Sequence, residues 1–360
     1  MRPRLPAAAA ILSYLEEIDR TRWYTNFGPL VSRFEHRLAE HFGVDPARVV
    51  CVANCTLGIA IALRARDPVA GGLCAVPSWT FIATPAAVRL AGLVPWFLDV
   101  DRDTWRLHPD TVLKALEDAP GQVSAVVPVS PFGNPVDIDA WNAFEAERGI
   151  PVAIDAAAGF DSAVAGNAPL AISLHATKTL GIGEGGIVLA RDSRQAERIR
   201  RMSNFGLASD RRAIFVGVNA KLSEYAAAVG LASLDAWPEI RALYQGSAER
   251  YRAALARLPE IATAPGFGRG AANATCNIVL GQPLADRVIQ RLNRAEIEAR
   301  QWWVKGCHRH PAYVDCPRTA LPETEFLAER VIGLPYFPDI TDGEIERVAQ
   351  SLAAALSESE

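Results

Sequence analysis

Over the first 190 residues, short apolar runs alternate with stretches of helical length and pattern, and this alternation constrains the fold more than any other feature. Strands are expected at 49–52, 73–76, 94–99, 125–129, 152–154 and 186–190. Helices are expected at 30–42, 56–65, 84–91, 109–116 and 138–148. Strands separated by helices pair in parallel, and the helices cover both faces of the sheet. The expected class is α/β with a mainly parallel sheet. In such sheets ligands bind beyond the carboxyl ends of the strands, so residues that end a strand are the first candidates for function.

From about residue 220 the pattern changes. Long helices are expected at 221–234 and 240–258, then a Gly/Ala-rich break at 265–273 (PGFGRGAAN), an apolar run at 277–280, and helices at 286–293 and 342–356. This reads as a smaller α+β domain behind a linker helix, with the chain divided into 1–235 and 236–360. A length of 360 residues suits two units of about 150 each.

Composition excludes several classes. Half of the residues are hydrophobic and 22% are charged, which suits a packed chain and not a disordered one. A net charge of −4 gives no general drive toward nucleic acid or an anionic membrane. No apolar run approaches the 18 or so residues that cross a bilayer. The apolar stretch near the N-terminus is broken by Ser13 and Tyr14 and runs into Glu16, Glu17 and Asp19, so it reads as an opening helix and not a leader. The six cysteines show no CxxC pair and no framework, which implies free thiols in a reducing cytoplasm.

The densest chemical signal is ISLHATKTLGIGEGGIVLA, residues 172–190. Lys178 is the lone lysine in a stretch rich in apolar residues and glycine. A desolvated setting lowers a lysine's pKa toward nucleophilic use, and the glycines permit tight turns against something bound nearby. The bland alternative is a solvent-facing lysine in a glycine turn. In PVAIDAAAGFDS, Asp155 closes an apolar strand, and a buried carboxylate there needs a cation or hydrogen-bond donors unless it only caps the next turn. Lys178 and Asp155 together suit pyridoxal phosphate, whose aldehyde condenses with an amine and whose protonated ring nitrogen pairs with a carboxylate. The phosphate needs a home. VVCVANCTLGIAIAL, residues 49–63, offers a turn and a helix starting near Thr56, where free N–H groups attract anions. Ser173 adds a hydroxyl. An ordinary N-cap at Asn54 or Thr56 is the plainer reading of that turn.

One segment stands apart. EARQWWVKGCHRHPAY, residues 298–313, gathers Trp302, Trp303, Lys305, His308 and His310 in an expected loop of the smaller domain. Its histidines and Cys307 are too few and too poorly spaced for zinc. No metal is expected. Such a loop suits stacking on a nucleotide base and neutralising a diphosphate, or else plain aromatic packing.

Together these residues resemble the DegT/DnrJ/EryC1/StrS aminotransferases. The likeness runs through NFGPLVSRFEHRLAEHFGV (26–44), PSWTFIAT (77–84), IDAAAGFDS, SLHATKTLGIGEGG, GVNAKLSEYAAAVGLASL (217–234) and GLPYFPDITDGEIERV (333–348). It implies an aspartate-aminotransferase-like, fold type I large domain built on a mainly parallel mixed sheet, with a smaller C-terminal α+β domain. By the same resemblance Lys178 bonds to the aldehyde of pyridoxal phosphate and Asp155 pairs with its ring nitrogen. Thr56, the backbone of Cys55 and Leu57, and Ser173 hold the phosphate, while Phe81 stacks on the ring. Asn219 reaches the phosphate from a partner subunit, which implies a homodimer with shared sites.

The implied reaction moves an amino group from L-glutamate to a keto-sugar, a nucleotide-linked 4-keto-6-deoxyhexose in the first instance. The 298–313 segment is similar to those of relatives acting on such dTDP-sugars. Amination of a cyclitol or other ketone, and a non-catalytic regulatory role, are the alternatives. The chain departs from the family pattern in four places: Ala158 stands where Gln or His is usual, Asn54-Cys55-Thr56 replaces a Ser-Gly-Thr type of turn, Lys221 replaces arginine, and Ser130-Pro131 replaces His-Leu.

Overall fold

The computed structural model describes residues 2–357. Seven strands lie in the first part of the chain: β1 (Val49–Val52), β2 (Leu73–Pro77), β3 (Val94–Leu98), β4 (Val123–Val126), β5 (Ile154–Asp155), β6 (Leu170–Ser173) and β7 (Gly186–Leu189). Ladders give the orders β3-β2-β4 and β1-β7-β6-β5. Parallel bridges Val126–Val152 and Val129–Asp155 join β4 to the β5 segment, making one sheet ordered β3-β2-β4-β5-β6-β7-β1. Only β7 runs antiparallel to its neighbours. The connection at 174–185 folds back as a loop with no helical crossover, so β7 returns beside β6 in the opposite sense.

Both faces of the sheet are buried, as successive side chains alternate. Val49, Cys51, Trp96, Leu98, Ile187 and Leu189 join one core cluster, while Val50, Val52, Phe97 and Val188 join the other. The opening helix spans Ala8–Thr21, and the helices Pro29–Phe42, Cys55–Arg64, Ala83–Leu90, Pro109–Leu116 and Ile138–Arg148 lie close to expectation. The helix expected from 221 starts instead at Glu224. Ser223 caps it by accepting from Ala226 N–H at 3.1 Å, while Ala220 is drawn to β1 by the Ala53 N–H at 2.8 Å. Glu224 is fully buried and caps a second helix, accepting from the N–H groups of Leu30 (2.7 Å) and Val31 (3.0 Å).

A second sheet, antiparallel and ordered β10-β9-β8, is built from β8 (Ile261–Thr263), β9 (Cys276–Leu280) and β10 (Val331–Leu334). Helices Trp237–Leu255, Ala285–Arg294 and Asp342–Ser357 pack around it and feed the first core cluster. The 298–321 region is not a free loop of this sheet. Phe97 at the β3 edge exchanges backbone hydrogen bonds with Pro317 (2.9 Å) and Thr319 (3.0 Å). Asp99, just beyond β3, accepts from the N–H groups of Glu323 and Thr324, both at 2.8 Å, so the first sheet caps the helix Pro322–Ala328. All six cysteines are buried and free. Among the described residues no helix is long and apolar enough to cross a membrane.

Candidate active site

Asp155 is the last residue of β5 and is 4% exposed. Its Oδ2 accepts from Thr84 Oγ1 at 2.7 Å and its Oδ1 from the Ala157 N–H at 3.0 Å. Burial leaves its pKa raised, although those two hydrogen bonds and the charge of Lys178 offset part of the effect. A carboxylate held this way favours a further cation.

Lys178 sits on the loop between β6 and β7. That loop is tied to itself by backbone bonds Lys178–His175 (2.8 Å), Ala176–Gly183 (2.8 Å), Leu174–Gly185 (3.0 Å) and Ile182–Leu174 (2.9 Å). The glycines correct one expectation, because two of them meet the chain's own backbone and not a bound group. A Cβ on Gly181 would stand 2.7 Å from the Ala176 carbonyl oxygen, and one on Gly186 would stand 2.8 Å from Asn54 C and Cys55 N. Gly186 therefore brings the start of β7 against the turn before the helix Cys55–Arg64. Burial lowers the pKa of Lys178, and the nearby Cys55 and Asp155 act the other way. Burial holds the Cys55 thiol protonated, with the Asp155 charge adding to the effect. Lys178, Asp155 and Cys55 are thus one electrostatic cluster at the carboxyl ends of the strands.

The helix N-terminus beside them is capped by Asn54, whose Oδ1 accepts from the Leu57 N–H at 2.9 Å. That bond withdraws Leu57 from the expected anion cradle. Among the described residues the N–H groups of Cys55 and Thr56 have no protein acceptor, and they carry the positive end of the helix dipole. Ser173 ends β6 and is 7% exposed; its Oγ accepts from the His175 N–H at 3.2 Å. Phe81, in the loop after β2, is 55% exposed and stacks on no aromatic ring among the described residues. Asn219 is exposed at the base of a hairpin that starts at the Asn204–Asn219 bridge, and it accepts from Lys221 Nζ at 2.6 Å.

The whole chain has relatives of this kind. Residues 7–353 match the DegT/DnrJ/EryC1/StrS aminotransferase family. The chain belongs to that family. Protein Mb3436c of Mycobacterium bovis is 31% identical, over 99% of this chain and 89% of that protein. The dTDP-4-amino-4,6-dideoxy-D-glucose transaminase of Escherichia coli is 26% identical over 97% and 96%. DesI, crystallised in the presence of its TDP-sugar product, superposes with a TM-score of 0.89 at 35% identity, covering 99% of this chain and 92% of that one. The protein is a pyridoxal-phosphate-dependent aminotransferase.

Within this family member the tryptophan segment is placed differently from expectation. Trp303 is 8% exposed, stacked on Phe132 at 4.0 Å and edge-on to Trp79 at 5.3 Å. His308 is 3% exposed, with Nδ1 2.7 Å from Ser78 Oγ. Both are therefore corrected from open binding groups to packing groups, because the segment docks on the 78–80 loop and buries them. Trp302 is half-buried with the Arg300 guanidinium 5.1 Å over its ring, and Lys305 is exposed and paired with Asp286 at 3.2 Å. His310 is half-buried. Sequence reasoning missed Thr84, Thr80 and Ala157 as partners around Asp155. The two threonines lie inside PSWTFIAT, but hydroxyls at the start of a helix read as caps.

Proposed function

We propose that the protein transfers the amino group of L-glutamate to a nucleotide-linked 4-keto-6-deoxyhexose. The observation that carries this reading is the meeting of a lysine of lowered basicity, a buried carboxylate and an open helix N-terminus at one end of the seven-stranded sheet. The named activity of the E. coli relative and the TDP-sugar product in whose presence DesI was crystallised support the sugar class.

The residues suit the cofactor. The N–H groups of Cys55 and Thr56, with the hydroxyls of Thr56 and Ser173, would hold a phosphate. The Asp155 carboxylate would keep a proton on the ring nitrogen, and the exposed Phe81 would stack on the ring. Pyridoxal phosphate, when bound, supplies an aldehyde and a ring that withdraws electrons from the donor α-carbon. Lys178 Nζ would take the proton from the donor α-carbon as general base and, as the resulting acid, hand it to the cofactor's former aldehyde carbon. Burial lowers its pKa and so raises its neutral fraction. Ala158 puts a methyl where Gln or His is usual, so no side-chain hydrogen bond comes from that position.

The reading includes a cofactor-binding unit at 1–235 and a smaller unit at 236–360. It also includes a cytoplasmic homodimer in which Asn219 serves the phosphate of the second copy. The exposed apolar groups Trp23, Phe205, Ile214 and Val216 support that pairing. Lys305, His310 and the half-buried Trp302 are the nucleotide contacts in this reading.

The test supplies L-glutamate and dTDP-4-keto-6-deoxyglucose and follows 2-oxoglutarate and aminated sugar. Multiple turnovers by the wild type and none by Lys178→Ala are expected. Normal turnover by Lys178→Ala would sink the mechanism, and no turnover with any keto-sugar would sink the substrate class.

A further inference from the structure

Behind Asp155 stands a chain of two buried hydroxyls that the reaction as described does not use. Thr84 Oγ1 lies 2.7 Å from Asp155 Oδ2, and Thr80 Oγ1 lies 2.9 Å from Thr84 Oγ1. Thr84 is fully buried and Thr80 is 2% exposed, so no solvent completes their bonding. Among the described residues neither hydroxyl has another side-chain or backbone partner.

The direction of the chain follows from the charge of Asp155. A hydroxyl has one proton, and an ionised carboxylate only accepts. Thr84 therefore spends its proton on Asp155 and accepts from Thr80, so every proton in the chain is used. With Asp155 protonated and donating, the chain reverses. Thr84 then donates to Thr80, and the Thr80 proton is left in the interior without an acceptor, which is unfavourable. The two threonines thus discriminate between the charge states of the carboxylate. The Ala157 N–H at 3.0 Å acts in the same sense on the other oxygen.

The threonines are themselves held in place. Thr84 is the second residue of the helix Ala83–Leu90, with its N–H on the Phe81 carbonyl at 3.1 Å. Thr80 is fixed by its N–H on the Ser78 carbonyl (3.1 Å), and its own carbonyl accepts from Cys307 Sγ (3.2 Å). The Cys307 N–H also bonds to the Ser78 carbonyl at 2.8 Å. The docked 307–308 segment consequently clamps the loop that carries the hydroxyls.

We propose that Thr84, backed by Thr80, is a positioning residue that keeps the Asp155 carboxylate ionised and aimed at the cofactor ring nitrogen. This rests on the assignment of Asp155 made above. The other titratable groups facing Asp155 are Lys178 and Cys55.

The test uses Thr84→Val, which keeps the shape and removes the hydroxyl, with Thr84→Ser, Thr80→Val and Asp155→Asn beside it. Apo-protein is titrated with pyridoxal phosphate, and the pH midpoint of the visible band is measured on the loaded protein. Thr84→Val is expected to bind the cofactor at least tenfold more weakly and to move the midpoint in the same direction as Asp155→Asn. Thr84→Ser is expected within about twofold of wild type, and Thr80→Val between the two. A purely structural role would lower thermal stability and leave affinity and midpoint unchanged, and that result overturns the proposal. If Thr84→Val does not fold, Thr80→Val decides, and wild-type values there overturn it. Wild-type values in Asp155→Asn overturn the assignment of Asp155 and the relay with it. Impaired Asp155→Asn beside unimpaired Thr84→Val overturns the relay alone.

Discussion

Gly186→Ala tests whether the close approach of β7 to the 54–56 turn builds the phosphate cradle. The new Cβ would stand 2.8 Å from Asn54 C, 2.8 Å from Cys55 N and 3.0 Å from Cys55 Cα, all of them backbone atoms. No flexible side chain can swing away, so one of the two backbones must shift. The strand is held on both sides, by Val52 of β1 and Ser173 of β6. The turn is held mainly by its cap, so it is the turn that yields. Forcing a methyl into a packed site costs about 1–3 kcal/mol. Expressed in cofactor affinity, that is about 5- to 150-fold. The assay titrates apo-protein with pyridoxal phosphate and, separately, with pyridoxal, which lacks the phosphate. The expected result is a loss of about 5-fold or more for pyridoxal phosphate and little change for pyridoxal. Gly246→Ala is the control, because it lies within the helix Trp237–Leu255 with nothing within 4 Å of the new methyl. It is expected to stabilise the helix by about 1 kcal/mol and leave both affinities unchanged. Wild-type pyridoxal phosphate affinity in Gly186→Ala, or an equal loss for both ligands, refutes the reasoning.

Three further outcomes are expected. Burial lowers the Lys178 pKa, so cofactor loading of apo-protein should rise with pH through a midpoint below the ordinary lysine value of about 10.4. The Asp155 charge holds that proton on, so Asp155→Asn should move the midpoint lower still; stopped-flow loading rates against pH check the sign. Glu35 is 6% exposed and accepts from Arg200 twice, at 3.0 and 2.9 Å, and from the Cys51 N–H at 2.8 Å. Glu35→Ala leaves the Arg200 guanidinium with the Val49 carbonyl, the Phe27 ring and the Glu197 charge, and should lose about 3 kcal/mol in urea unfolding. A loss below about 1 kcal/mol would mean that the pair is not a structural anchor. Asn54→Ala removes the cap on Leu57 and should lose about 1 kcal/mol of stability in the same assay.

Strands with two buried faces were easy to read, because β1, β2 and β3 appear as unbroken apolar runs. β6, β8 and β10 are short runs whose strand character comes from their partners, and β5 has only two residues. Its register is set by β4 and β6, which no local pattern encodes. Lys178 and Asp155 stood out because a charge in an apolar stretch is costly without a purpose. Thr84 and Thr80 did not, since a hydroxyl is common in turns and its partner lies 71 residues away along the chain in the case of Thr84. The glycines at 181 and 186 signalled a close approach. That the approaching group is the chain's own backbone is a tertiary fact. The aromatic character of 302–310 was plain in the sequence, but its orientation depends on Phe132 and Trp79, supplied by distant loops.

The central claim is that Lys178 carries the cofactor. The most direct measurement loads the protein with pyridoxal phosphate, reduces it with borohydride and maps the adduct by peptide mass. An adduct on Lys178, lost when L-glutamate is added before reduction, is the result this account predicts. An adduct on another lysine, or none with the cofactor in excess, would contradict it.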